Sequence, residues 1–381
     1  MRRVELLKSS RRSCLSCAVL LMLALALLVD LSILSSAQTQ RRPRRVSPGQ
    51  PAAAAPTPSP PAQPANDETT AQAIDPDEVV TVSTSEVLLP VTVRDAEGRL
   101  VTTLTRENFR VYEDGVEQPL SDLALRRVPV DVALLVDTSS SVAAYLEDFR
   151  RALDEFAAKL APDDRLSLIK FDDRVEVLQD WTASRTQLRR SLRRLTGGMF
   201  TRFNDALYLV AREQFAGGQR RHAVIVFSDG IDNGRGRTSL EAALRSLLEA
   251  QATVYSISST QIQRANKRAE LDTLLSGSQS EVKFNQLRID SLQLGLLALD
   301  TSEQNLSQLT AATGGRLYKP DQFSALDAVY REVAEELRHQ YALYYTPLNK
   351  TKDGQFRRVQ VAMSEPTLKA ATRIGYFAPR K

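Results

Sequence analysis

Residues 131–142 read DVALLVDTSSSV. Beyond Asp131 the first half is apolar without interruption, and the second half opens with one carboxylate and four hydroxyls, Asp137 to Ser141. An apolar run that does not alternate is what a strand buried on both faces requires. Short oxygen-bearing side chains placed directly after it have two readings. One is a turn opening a helix, since Ser, Thr and Asp are preferred helix caps. The other is a metal site at the carboxyl end of a strand.

The same rhythm continues outward. RLSLIKF at 165–171, AVIVFSDG at 223–230 and ATVYSIS at 252–258 are further strand-like runs. Between them the pattern predicts helices over 144–160, 185–195, from 203 onward and over 239–250. Apolar strands alternating with helices predict an α/β domain with a doubly wound, mostly parallel, Rossmann-like sheet over 129–340. Residues 261–300 are polar and helical in pattern and are read as an insertion. A helix over 302–313, the turn and strand TGGRLY and a helix over 323–340 complete that domain. Residues 77–128 alternate as short strands, with Asp114-Gly115 as a hairpin turn. YALYYTP, FRRVQVAM and KAATRIGYF return to β within 341–381, and are expected to pack with the N-terminal strands as a small β-sandwich-like module.

The chain has 381 residues and a net charge of +4. Residues 1–45 hold nine Lys/Arg against Glu5 and Asp30, a net of +7, which leaves −3 for the remainder. The basic character is therefore local and gives no argument for a nucleic-acid-binding body. Residues 1–37 combine Arg2, Arg3, Lys8, Arg11 and Arg12 with the apolar run CLSCAVLLMLALALLV and the small residues Ser35-Ser36-Ala37. That is the form of a secretory signal, or, if it is not cleaved, of a membrane anchor. The expected location is secreted, periplasmic or in the cell envelope. Both cysteines, Cys14 and Cys17, fall in this segment, so the mature chain needs no disulfide and offers no thiolate metal site. Residues 38–76, with PAAAAPTPSPPAQPA, read as a disordered spacer.

In an open parallel sheet ligands bind beyond the carboxyl ends of the strands. Asp137 to Ser141 occupies one such end and Ser228-Asp229-Gly230 another. Gly197-Gly198-Met199-Phe200-Thr201 leads into the helix that carries Asn204 and Asp205. Three loops can thus converge. Carboxylates and hydroxyls without Cys or His suit Mg²⁺, Mn²⁺ or Ca²⁺, Mg²⁺ first. Two carboxylates neutralise a divalent ion, and the hydroxyls of Ser139, Ser141 and Thr201 leave it electrophilic toward one further oxygen.

D-x-S-x-S at 137–141, Thr201 after a Gly-rich turn and S-D-G at 228–230 resemble the metal-ion-dependent adhesion site (MIDAS) of von Willebrand factor type A domains, across 130–340. VTVRDAEGRLVTTLTRENFRVYEDG before the domain, and TGGRLY, LRHQYALYY, DGQFRRVQV and RIGYF toward its end and after it, are similar to secreted bacterial VWFA-related proteins of the acidobacterial type. The resemblance implies that Ser139, Ser141 and Thr201 are direct or near-direct ligands, with Asp137 and Asp229 acting directly or through water. It also implies that the open position takes an acidic side chain from a partner protein, and that in some members the C-terminal helix of the domain shifts on binding.

Each of these residues alone is as well read as a helix cap. Asp205 is assigned to orienting the Thr201 loop or capping its helix. Arg202, Arg235 and Arg237 are candidates for an electropositive rim that steers an acidic partner. Met199 and Phe200 are read first as packing residues and only second as an apolar lip beside the metal. Two other readings remain. One is a structural envelope protein with a vestigial site. The other is a metal-dependent phosphatase, although the acid/base carboxylate such enzymes carry two residues after the first Asp is here Ser139. No catalytic residue is assigned.

Overall fold

The computed structural model describes residues 86–124, 128–139, 146–215, 220–232 and 236–380. The chain divides into two units, Met1–Glu78 and Val79–Lys381, and all described residues belong to the second. The leader over 1–37, the spacer over 38–76, Ser141 and Arg235 lie outside the described residues. Among those described, no helix is long and apolar enough to cross a membrane.

The opening stretch forms strand β5, Val130–Asp137, buried at all eight positions. It lies parallel to β6, Arg165–Phe171, and β8, Arg221–Ser228, with Leu134 opposite both Leu168 and Ile225. The sheet extends through β9, Ala252–Ser258, to the short edge strand β10, Leu317–Tyr318, on one side. On the other side β7, Val175–Thr182, runs antiparallel, giving the order β10-β9-β8-β5-β6-β7.

Successive side chains of a strand point to opposite faces. Val132, Leu134 and Val136 meet Phe149 and Phe156 of α1, Leu146–Lys159, and Tyr330 and Val333 of α8, Leu326–Arg338. Leu188 and Leu192 of α2, Arg185–Leu192, join the same cluster. Ala133 and Leu135 meet Phe203 and Leu207 of α3, Phe203–Leu209, and Leu247 of α4, Leu240–Glu249, in the second core. The five positions of β5 from Val132 to Val136 are thus all apolar because both faces are covered. Asp131 is tied down at the strand's start by Arg220 at 2.5 Å and by Arg165. Burial would raise its carboxyl, but these two guanidiniums outweigh that and hold it below the usual range.

Two four-stranded antiparallel sheets accompany this domain. In one, β1, Val87–Arg94, lies between β11, Tyr341–Tyr345, and β13, Lys369–Ala371, with β4, Leu120–Ala124, beyond β11. In the other, β2, Phe109–Glu113, lies between β3, Val116–Gln118, and β12, Phe356–Met363, with β14, Gly375–Phe377, beyond β12. Leu89, Val91, Val111, Leu343 and Val359 close one core between the two sheets. Asp114 and Gly115 both have positive φ, 48° and 83°. That is the backbone a two-residue hairpin turn demands.

The 261–300 stretch, read as an insertion, is helical over most of its length. Its first helix is α5, Thr260–Leu275, followed by the short α6, Gln279–Phe284. Then α7 runs unbroken over Gln286–Thr313, so the helix expected at 302–313 is the far end of a 28-residue one. Its Leu306 and Leu309 pack on the sheet. The 286–301 part, about 24 Å at the helical rise of ~1.5 Å per residue, pairs with α5 as a hairpin.

Leu134→Ala is expected to cost about 2–5 kcal/mol, the range for a fully buried leucine in a core that cannot collapse around it. Urea unfolding of the variant checks this, and a loss below about 1 kcal/mol would contradict the central place of β5.

Candidate metal centre

Three segments are fastened to one another beyond the strand ends: the loop after β5, the connection from α2 to α3 that carries Gly198 and Thr201, and the loop after β8. Ser228 Oγ donates to Asp137 Oδ2 at 2.6 Å, which joins the first loop to the third. Gly198 N–H donates to the Thr138 carbonyl at 2.8 Å and joins the second loop to the first. Asn204 N–H donates to Asp232 Oδ2 at 3.0 Å and joins the second to the third. Asp137, Ser139, Thr201 and Asp229 are all buried on these loops. Asp137 also accepts the Ser139 N–H on Oδ1 at 2.9 Å, which turns the chain sharply as it leaves the strand.

The two aspartates act on each other. Burial, and then the neighbouring Asp229 charge, push the Asp137 carboxyl up to about 7, against hydrogen bonds from Ser139 and Ser228. The same strand therefore ends in two opposite environments: Asp131 with two guanidiniums and Asp137 with a second carboxylate. Among the described residues no group of three or more His, Cys, Asp or Glu is placed to hold a metal. The set here has two carboxylates, with hydroxyls for the rest. Such a donor set fits a hard divalent cation, which would draw on Asp137, Asp229, Ser139 and Thr201 and would relieve the repulsion between the carboxylates.

Other sequence candidates find other partners. Asp205 Oδ1 accepts the Arg237 and Thr238 N–H groups, each at 3.0 Å, and so binds the second loop to the stretch leading into α4. Arg202 reaches Asp205 at 3.8 Å and is thus part of that joint, while Arg237 is exposed. Met199 does not pack: it stands 73% exposed on the second loop.

Several residues escaped the sequence reading. Asp172, at the end of β6, accepts Thr138 Oγ1 at 2.9 Å and Lys170 Nζ at 3.0 Å. Burial would raise its carboxyl, and those bonds outweigh it and hold it below the usual range. A Cβ at Gly198 would lie 2.5 Å from Asp172 Cβ, so only glycine lets the second loop come this close. Asp173 accepts the Phe200 N–H at 3.2 Å. The signal was the acidic pair in KFDD, right after a strand. Gln263 of α5 donates to Asp229 Oδ2 at 2.8 Å, and Ser302 of α7 donates to the Asp229 carbonyl. No motif marked either.

The raised Asp137 value sets a pH dependence. A carboxyl that holds its proton more tightly when folded than when unfolded contributes stability at low pH and loses it as pH rises through the folded value. Without metal, wild-type stability is expected to fall relative to Asp137→Asn between about pH 4 and about pH 7, the interval from the ordinary carboxyl value to the folded one. Urea midpoints in EDTA check this, and parallel curves for the two proteins would refute it.

Residues 132–232 match the family model described as von Willebrand factor type A domain. No curated protein matches the chain. Among solved structures, the vWF domain of the type V pili tip protein Mfa5 from Porphyromonas gingivalis is 16% identical, with 55% of this chain and 95% of that chain covered at a TM-score of 0.39. A von Willebrand factor type A structure from Catenulispora acidiphila is 11% identical, with 77% and 74% covered at 0.42. Proximal thread matrix protein 1 from the mussel byssus, with a zinc-occupied MIDAS motif, is 16% identical, with 58% and 48% covered at 0.39. The chain spans about half the length of the mussel proteins it matches. The family match encloses all three fastened loops, from the strand before Asp137 to the turn after Asp229: the chain carries a von Willebrand factor type A domain.

Proposed function

We propose that this chain is a protein-binding module of adhesion type, acting outside the cytoplasm through a divalent cation held by Asp137, Ser139, Ser141, Thr201 and Asp229. The observation that carries the reading is the meeting of two buried carboxylates, Asp137 and Asp229, on loops that also bring Ser139 and Thr201. Caps alone do not account for it. A capping carboxylate gains from the N–H groups of its own helix, whereas Asp137 is fastened to Ser228 of another loop and set against a second negative charge.

Two carboxylates and neutral hydroxyls balance a +2 ion without saturating it, Mg²⁺ first and Mn²⁺ or Ca²⁺ after it. When bound, the cation supplies a position for one carboxylate oxygen from outside. The partner is accordingly a protein presenting an Asp or Glu side chain. The basic and apolar leader over 1–37 supports a secreted, periplasmic or envelope location.

Calorimetric titration of the full chain with Mg²⁺ is expected to show saturable binding with Kd of about 10⁻⁵ to 10⁻³ M, the weaker part of the range for hard-cation sites. The double variant Ser139→Ala, Thr201→Ala is expected to lose it. Equal binding by the variant would place the ion elsewhere and sink the reading.

A further inference from the structure

The loop after β8 is held from a second side, by the helical hairpin. Gln263 lies in the first turn of α5, and its Nε2 donates to Asp229 Oδ2 at 2.8 Å and to Ser259 Oγ at 3.1 Å. An ionised carboxylate only accepts, so the amide nitrogen must face Asp229. The other oxygen, Oδ1, accepts the Ile231 N–H at 3.0 Å. The carboxylate is thus gripped at both oxygens, once by its own loop and once by α5.

The base of the hairpin is locked. Arg264 bridges Asp300 at 2.8 Å and Glu303 at 2.9 Å, which ties α5 to α7. Lys319 holds Glu303 from beyond α7 at 2.7 Å. Ser302 of α7 fastens the Asp229 carbonyl, and a Cβ at Gly230 would meet Ser302 Oγ at 2.7 Å and Leu306 Cγ at 2.8 Å. The Gln263 amide is therefore presented from a fixed mount, and its reach to Asp229 is set by the hairpin.

We propose that Gln263 is a positioning residue for the metal centre: it fixes the Asp229 carboxylate in the orientation the cation meets, and so makes the inserted hairpin part of the site. Donors that orient a ligating carboxylate typically raise metal affinity about 10–100-fold. The inference rests on the metal-dependent reading above.

The test is Mg²⁺ titration of the full chain as wild type, Gln263→Met and Gln263→Asn, with the melting temperature of each taken in EDTA. Met keeps the length and removes the donor; Asn keeps the amide but is one methylene too short. Both variants are expected to bind Mg²⁺ at least about 10-fold more weakly, with EDTA melting temperatures close to wild type. If either variant folds and binds with the wild-type Kd, the role of Gln263 is overturned while the metal reading stands. If the variants melt lower in EDTA yet keep the wild-type Kd, the bond is merely structural and the inference is again overturned. If the wild type itself shows no saturable binding, both readings fall together.

Discussion

The hydrogen bond from Ser228 to Asp137 is the joint on which the rest of the site depends. It spans two neighbouring parallel strands at their carboxyl ends, at 2.6 Å and with both residues fully buried. Parallel pairing of β5 with β8 brings these ends together, and the short side chains let the loops turn away at once. Because Asp137 Oδ1 is taken by the Ser139 N–H and Oδ2 by Ser228, the carboxylate cannot swing out to water. It is held where burial and Asp229 disfavour its charge. A buried charge without compensation is among the more expensive features a fold can keep. Asp131, on the same strand, shows the ordinary solution, a carboxylate enclosed by two arginines.

The second loop follows from a different constraint. It reaches the first only because Gly198 leaves room for Asp172, which is itself anchored by Lys170 and Thr138. The end of β6 thus contributes the scaffold beneath Thr201, and the ends of β5 and β8 contribute the carboxylates. This is the division expected where a site sits beyond the strand ends of an open sheet.

Much of this was legible in the sequence. DVALLV has no period-2 alternation because both faces of β5 are covered, and the DTSSS run follows it directly. The 3.6-residue stripe of the 240–249 helix and the Asp-Gly turn at 114–115 were equally plain. The hairpin was not. In α7, Ile289, Leu292, Leu299, Leu306 and Leu309 are buried, while Leu287, Leu294 and Leu297 are 86%, 67% and 63% exposed. Apolar residues on two sides of one helix give no single stripe, so periodicity could not say which side meets the sheet. Gln263 was invisible for a simpler reason. A glutamine in a polar helix looks like solvated surface until the fold sets it beside Asp229. Met199 stands in solvent where packing was expected, and Arg202 lies within 3.8 Å of Asp205.

The clamps on the domain's last helix decide where motion can enter the site. Glu336 of α8 is buried and accepts Arg94 at 2.5 Å and Thr92 Oγ1 at 3.2 Å, both from β1. Arg221, at the start of β8, donates to the Leu337 carbonyl at 3.0 Å and to Gln340 at 3.1 Å. Only a short connection separates α8 from β11, which is itself paired with β1. Sliding α8 along the sheet would break a half-buried ion pair and pull on a strand in the middle of a second sheet. Among the described residues the α5–α7 hairpin shows no comparable clamp beyond its base: farther out, Arg288 pairs with Glu270 at the surface, where such a pair is worth little. Of the two elements, the one that touches Asp229 is also the one whose outer part is cheaper to move.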